Sequence, residues 1–198
     1  MAGKSLLIVF AGPNGSGKST LVEEMRARDP GFPSLYINAD DIAREKNVGP
    51  REAAVEAMRQ RAVAVARRES FATETVMSTV EKIDFLKDAK RAGYKIALVY
   101  ITTQSRKINL KRIETRVKTG GHDVPPEKTA SRYDKSMAFL ADALGIVDMA
   151  TIYNNSFENP LLIAEKTKDG RLVIYPQEPP SIWNVEHIRK LVGLAVSG

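Results

Sequence analysis

Cysteine is absent from the 198 residues, and histidine occurs only as His122 and His187. The lack of cysteine excludes disulfides and thiolate metal sites, and two histidines argue against a multi-histidine zinc centre. No apolar run approaches the roughly 20 residues that a membrane helix needs. We therefore expect a cytoplasmic chain, and we interpret the apolar residues 5–10 as a first strand, not as a signal peptide.

Acidic residues are outnumbered, with 24 Asp and Glu against 30 Lys and Arg, which gives a net charge of +6 and a pI of about 9.5. This balance favours an anionic partner such as a nucleotide, a sugar phosphate or a nucleic acid, although a mildly basic surface would give the same numbers. Because no block of five or more Lys or Arg occurs, the sequence argues against nucleic acid.

Short apolar runs alternate with longer segments that keep apolar residues at helical spacing. The pattern predicts strands at residues 5–10, 34–38, 71–74, 95–101 and 148–154, and helices at 18–28, 41–46, 51–69, 80–92, 105–119, 126–144 and 185–196. Such alternation predicts an α/β fold with a mostly parallel sheet covered on both faces. Asp169-Gly170 between the apolar residues 161–166 and 171–175 adds a C-terminal antiparallel hairpin. No linker is evident, so we expect one domain over 1–198.

A glycine-rich loop follows the first predicted strand. Gly12, Gly17, Lys18 and Ser19 satisfy the pattern G-x-x-x-x-G-K-[ST], and a predicted helix begins at Lys18. Glycines let backbone N–H groups surround phosphate oxygens, and the Ser19 hydroxyl can bind magnesium. Lys18 can reach the β- and γ-phosphates, so we predict it as a catalytic residue as well. The sequence therefore predicts ATP and Mg²⁺ as cofactors, bound by Gly12, Pro13, Asn14, Gly15, Ser16, Gly17, Lys18, Ser19 and Thr20.

The loop alone does not identify the reaction, since ATPases, GTPases and small kinases share it. The guanine-reading pattern Asn-Lys-x-Asp is absent, and no apolar strand ends in the Asp of an ATPase-type second motif. A compact kinase fits these features best.

Two carboxylates, Asp40 and Asp41, follow the second predicted strand. Strand ends converge on the ligand crevice of a doubly wound sheet, where a carboxylate can take the proton of an attacking hydroxyl. Helix capping is the alternative role. We assign Asp40 as the catalytic base in the substrate site and Asp41 as the helix cap, although the sequence does not separate the two.

The third predicted strand ends in Glu74 and Thr75. We expect Glu74 to bind magnesium or substrate, with a solvated strand end as the alternative, and Thr75 to face the same crevice.

A basic stretch at residues 105–135 predicts a mobile lid with a Gly120-Gly121 hinge. Lid arginines neutralise charge on a transferring phosphoryl group, so we predict Arg112 and Arg116 as catalytic and Arg132 as substrate-binding. We place His122 as a substrate contact. Lys107, Lys111 and Lys118 are expected on a solvated face.

These motifs occur in a definite order: the phosphate loop, then N-A-D-D-I-A-R at 38–44, F-A-T-E-T at 71–75, and R-V-x-x-G-G-H-x-V-P at 116–125, before Arg132-Tyr133. The set resembles the zeta toxin family of P-loop kinases, in particular its short stand-alone members. The resemblance implies a P-loop NTPase kinase-like three-layer fold and transfer of the ATP γ-phosphate to a hydroxyl, as on UDP-N-acetylglucosamine.

The resemblance also implies an aspartate base at Asp40, an acidic residue at Glu74, lid arginines at Arg112 and Arg116, and an antitoxin protein as partner. Two other functions remain open at this stage. One is a polynucleotide or nucleoside kinase, and the other is a non-catalytic ATP-binding regulatory module.

Overall fold

The computed structural model describes residues 5–119 and 124–175, in which strands and helices alternate. The strands are β1 (Leu6–Ala11), β2 (Leu35–Ile37), β3 (Phe71–Thr75), β4 (Lys95–Thr102), β5 (Met149–Asn154), β6 (Leu161–Lys166) and β7 (Leu172–Ile174). The helices are α1 (Lys18–Arg28), α2 (Ala39–Lys46), α3 (Pro50–Arg67), α4 (Val80–Arg91), α5 (Arg106–Lys118) and α6 (Pro126–Ile146). The helix predicted at 185–196 lies outside the described residues.

The strands form one sheet in the order β2-β3-β1-β4-β5-β6-β7. The first five strands of this order pair in parallel, while β6 and β7 add in antiparallel fashion. The α/β class, the mostly parallel sheet and the C-terminal antiparallel hairpin are confirmed.

The central strand β1 contributes side chains to two hydrophobic cores, because successive side chains point to opposite faces of the sheet. Leu7 and Val9 join the larger core with apolar residues of α3, α4 and α6. Ile8 and Phe10 join a smaller core with Val22 of α1. Helices therefore cover both faces, which makes the three layers that a buried parallel sheet requires.

The carboxyl ends of β1 and β3 lie side by side. In the parallel register, Phe10 pairs with Glu74 and Ala11 pairs with Thr75. The loop after β1 and the segment after β3 therefore leave the sheet at the same edge, where ligands bind in open α/β sheets.

The cap of α2 differs from the expectation. The helix begins at Ala39, and Asn38 is its N-cap, because the Asn38 side chain accepts a hydrogen bond from the backbone N–H of Asp40. Assigning the cap to Asp41 was wrong, since Asp40 and Asp41 both lie in the first helical turn, where their negative charge favours the positive helix end.

Among the described residues, no helix is both long and apolar enough to cross a membrane.

Candidate functional site

The loop after β1 has the backbone conformation that its glycines predict. Gly12, Gly15 and Gly17 have φ values of 142°, 74° and 93°. A Cβ on Gly12 would overlap the carbonyl oxygen of Ile101, and one on Gly17 would overlap the Asn155 amide. The loop requires glycine at these positions for both backbone conformation and space.

Two asparagines from distant segments hold the loop from outside. The side-chain amide of Asn109 donates to the Asn14 carbonyl at 2.6 Å, and that of Asn155 donates to the Ser16 carbonyl at 2.8 Å. The Thr103 hydroxyl hydrogen-bonds the Asn109 side-chain oxygen, which orients the amide. Neither asparagine could be identified from the sequence, because their contacts span 95 and 139 residues of chain.

Lys18 is 6% exposed, and its Nζ donates to the Pro13 carbonyl at 3.0 Å and lies 4.0 Å from a Glu74 carboxylate oxygen. Burial lowers the pKa of the Lys18 ammonium, while the negative charges of Glu74 and Asp40 oppose that shift. The amine is therefore already folded back over the loop, close to the carboxylate at the end of β3.

Glu74 is the centre of a hydrogen-bond network at the mouth of the loop. Its carboxylate oxygens accept from the Ser19 hydroxyl at 3.1 Å and from the Tyr36 hydroxyl at 3.1 Å, and the Asn38 amide lies 3.5 Å away. Burial and the Glu74 charge raise the pKa of Tyr36, so the phenol stays a donor. Hydroxyl and carboxylate oxygens are the ligands that Mg²⁺ prefers, and their closeness fits a magnesium ion shared with nucleotide phosphates.

Asp40 and Asp41 have different surroundings. Asp40 is exposed and lines a cleft with the phosphate loop. Asp41 is half-buried and pairs with Arg44 one turn along α2, at 2.5 Å. Of these two carboxylates, that of Asp40 lines the cleft and that of Asp41 does not.

The cleft has a volume of about 520 Å³ and brings together residues that are far apart in sequence. The predicted site residues that line it are Asn14, Gly15, Gly17, Lys18, Ser19, Thr20, Asp40, Glu74, Thr75, Arg112, Arg116 and Arg132. Arg132 also lies 3.5 Å from the Asn14 side-chain oxygen. Gly12, Pro13 and Ser16 are buried within the loop itself.

The remaining predicted residues lie elsewhere. His122 and the Gly120-Gly121 hinge lie outside the described residues. Lys107, Lys111 and Lys118 are exposed and do not line the cleft, as expected for a solvated face.

Several cleft residues could not be predicted from the sequence, and together with Thr75 they form what we call the second wall of the cleft. The segment 75–79, between β3 and α4, forms part of it, and Met77 there takes the left-handed conformation with φ 53°. Arg61 of α3 and Lys82 of α4 complete this wall. In sequence, an arginine in an alanine-rich helix is expected at the surface. The spacing does give one indication that Arg61 is buried, because it falls on the same helix face as Ala53, Ala57 and Ala64.

The fold and the cleft define the class of protein: a P-loop kinase-like α/β protein. The chain belongs to the AAA domain family, which it matches over residues 7–140. It is 35% identical over 131 residues to an uncharacterized protein of Haemophilus influenzae, an alignment that covers 64% of this chain and 91% of the relative.

The solved structures that share the fold include two with bearing on this protein. The AvrRxo1-ORF1:AvrRxo1-ORF2 structure with ATP has a TM-score of 0.69 at 16% identity, covering 100% of this chain and 67% of that chain. The PezAT chromosomal toxin-antitoxin system of Streptococcus pneumoniae has a TM-score of 0.54 at 15% identity, covering 99% of this chain and 81% of that chain. The PezAT likeness is one of fold, and the comparisons identify the AAA domain family without singling out zeta toxins.

Proposed function

We propose that the protein is an ATP-dependent kinase that transfers the γ-phosphate to a hydroxyl group of a small molecule. The observation that carries this proposal is the cleft itself. A phosphate loop, the carboxylates of Asp40 and Glu74, and three arginines line one cavity of about 520 Å³. ATP supplies the phosphoryl group and Mg²⁺ neutralises charge on its phosphates.

The loop side of the cleft would hold the donor. The loop N–H groups and the N-terminus of α1 favour negative charge, and Lys18 can swing from the Pro13 carbonyl to the β- and γ-phosphates. The Ser19 hydroxyl and the Glu74 carboxylate, 3.1 Å apart, would hold magnesium. Arg112, Arg116 and Arg132 would stabilise the charge that develops on the phosphoryl oxygens.

The carboxylate of Asp40 would accept the proton of the attacking hydroxyl. A bond then forms between the hydroxyl oxygen and the γ-phosphorus, and the bond between that phosphorus and the bridging oxygen breaks. The bond electrons leave with ADP, and the arginines would stabilise the negative charge that develops there. Asp40 suits this role because it lies on the cleft and is not paired with Arg44, unlike Asp41.

Two structural neighbours support the choice of ATP as the phosphate donor and of an antitoxin as a candidate partner. One was solved with ATP, and another is a toxin-antitoxin system. Together with the ordered motifs at 38–44, 71–75 and 116–125, they support ATP as the donor, a UDP-amino sugar such as UDP-N-acetylglucosamine as a candidate acceptor, and an antitoxin protein as a candidate partner.

The proposal is tested by incubating the protein with γ-labelled ATP and Mg²⁺ and a panel of acceptors: UDP-N-acetylglucosamine, nucleosides and oligonucleotides. We expect label on a small hydroxyl compound. Label on oligonucleotide ends would favour a polynucleotide kinase instead. Tight ATP binding with no transfer to any acceptor and no hydrolysis would favour a regulatory module.

Asp40→Asn tests the assigned base. We expect transfer to fall by about 10²–10⁴-fold, the usual contribution of a general base, with ATP affinity retained. Asp41→Asn is the matched control, because it removes a neighbouring carboxylate that pairs with Arg44. Loss of transfer in Asp41→Asn with full activity in Asp40→Asn would reverse the assignment.

A further inference from the structure

Two cations line the second wall of the cleft, and they belong to α3 and α4 and not to the phosphate loop. Arg61 of α3 is 6% exposed, and Lys82 of α4 is half-buried. Both border the same cavity as Asp40 and Glu74. Arg61 contacts Thr73 and Phe85, which lie outside the phosphate loop, so ATP bound by the loop does not by itself explain these two cations.

Among the described residues, buried Arg61 has no acidic side chain within ion-pair distance. Its guanidinium contacts the Thr73 hydroxyl at 3.4 Å and lies over the Phe85 ring at 5.6 Å. Within residues 5–119 and 124–175, none of the ion pairs within 4.0 Å includes Arg61 or Lys82. A guanidinium has five N–H donors, and burying its charge unpaired is costly. A ligand that accepts those hydrogen bonds would offset this cost.

The surroundings of Arg61 favour an anion further. Burial lowers the pKa of Arg61. Burial together with the Arg61 charge lowers the pKa of Lys82, while the negative charge of exposed Glu81 opposes that shift. Ser78 and Thr79, at the N-terminus of the 12-residue helix α4, line the same wall, so the positive helix end adds to the two side-chain charges. The positive charges of Arg61 and Lys82 repel each other, and a negative group bound between them would stabilise both.

We propose that Arg61 and Lys82 bind an oxyanion, a phosphate or a carboxylate, that the phosphate acceptor carries in addition to its reactive hydroxyl. This inference rests on the proposed kinase function. It narrows the acceptor to negatively charged hydroxyl compounds, such as sugar phosphates, nucleotide sugars or sugar acids, and excludes neutral polyols. A guanidinium fork and an ammonium point charge suit either oxyanion.

Direct anion binding is the first test. The wild-type protein is saturated with a non-hydrolysable ATP analogue and Mg²⁺, so that the phosphate loop is occupied, and is titrated with inorganic phosphate and, separately, with acetate. The same titrations are made on Arg61→Gln, Lys82→Gln and the double variant. Lys111→Gln is the matched control, because it removes a cation that is exposed and does not line the cleft.

We expect at least about a tenfold loss of oxyanion affinity in each Gln variant and no change in Lys111→Gln. Lys82→Gln keeps the test valid if Arg61→Gln folds poorly, and Arg61→Lys should restore part of the affinity. Stronger binding of inorganic phosphate than of acetate would indicate a phosphate on the acceptor, and the reverse would indicate a carboxylate. Equal affinity in wild type and double variant, or no binding to the wild type, overturns the inference.

The acceptor test uses matched compounds: N-acetylglucosamine against its 1-phosphate, and glucose against gluconate. We expect label from γ-labelled ATP on a charged member of a pair, with a KM that rises at least about tenfold in Lys82→Gln. Equal labelling of the neutral members overturns the inference. Failure of the wild type to bind the ATP analogue defeats the proposed function instead, and that affinity is measured separately.

Discussion

At the scale of one residue, the buried ammonium of Lys18 makes the free energy of unfolding depend on pH. Its ammonium is buried, and burial lowers its pKa from the ordinary 10.5. The folded chain therefore holds this proton less tightly than the unfolded chain. Because the unfolded state binds more protons in the window below pH 10.5, the contribution of Lys18 to the free energy of unfolding rises with pH across that window.

Lys18→Met removes this contribution while it keeps the apolar stem. We expect the variant to lose ATP binding, and we expect its free energy of unfolding, relative to wild type, to fall as the pH rises toward 10.5. Urea unfolding of both proteins at pH 7 and pH 10 checks the sign. A relative stability that increases with pH would contradict the assigned direction of the pKa shift.

Some residues of the site could be predicted because their roles are local. The phosphate loop and the carboxylates after β2 and β3 follow from short patterns, and the cleft brings them together. Arg61, Asn109 and Asn155 could not be predicted, because their roles arise from contacts between segments that are distant in sequence. The cap was misassigned because Asn, Asp and Ser are similarly good N-caps, and propensity does not rank Asn38 against Asp41.

At the scale of elements, the phosphate loop depends on the segments that support it. The α5 residue Asn109 and Asn155, the residue after β5, each donate to a loop carbonyl. The loop conformation is therefore coupled to the position of α5 and to the end of the parallel sheet. The alternation of short apolar runs with longer helical segments predicted each strand and helix of the described residues, but it does not give the order of the strands in the sheet.

Asn155→Ala should weaken ATP binding by about fivefold, which corresponds to the loss of one hydrogen bond of about 1 kcal/mol. The affinity is measured by titration with the non-hydrolysable analogue. Asn159→Ala is the control, since it removes the same side chain from an exposed position in the same connection. Equal affinity in both variants would show that the loop keeps its shape without the Asn155 contact.

At the scale of the whole molecule, nucleotide binding should stabilise the fold. A ligand at about 100 times its Kd adds about 2.7 kcal/mol to the free energy of unfolding. For a chain of this size that corresponds to a rise in Tm of about 5–10 °C. Thermal unfolding with and without Mg-ATP measures it, and Lys18→Met, which should show no rise, is the control. The single domain over 1–198 and the cytoplasmic location stay predictions.

The two walls of the cleft come from separate stretches of chain. On the proposed function, residues 12–20 would face the nucleotide, while Arg61, segment 75–79 and Lys82 would face the acceptor. The phosphate loop and segment 75–79 leave the sheet from the adjacent strands β1 and β3. Mutation can therefore reshape the second wall while leaving the first intact. On the proposed function, a lineage built on this scaffold would change its acceptor by substitutions at Arg61 and in residues 75–82 while it inherits the ATP site unchanged, and an engineer would have to transfer both to retarget the protein.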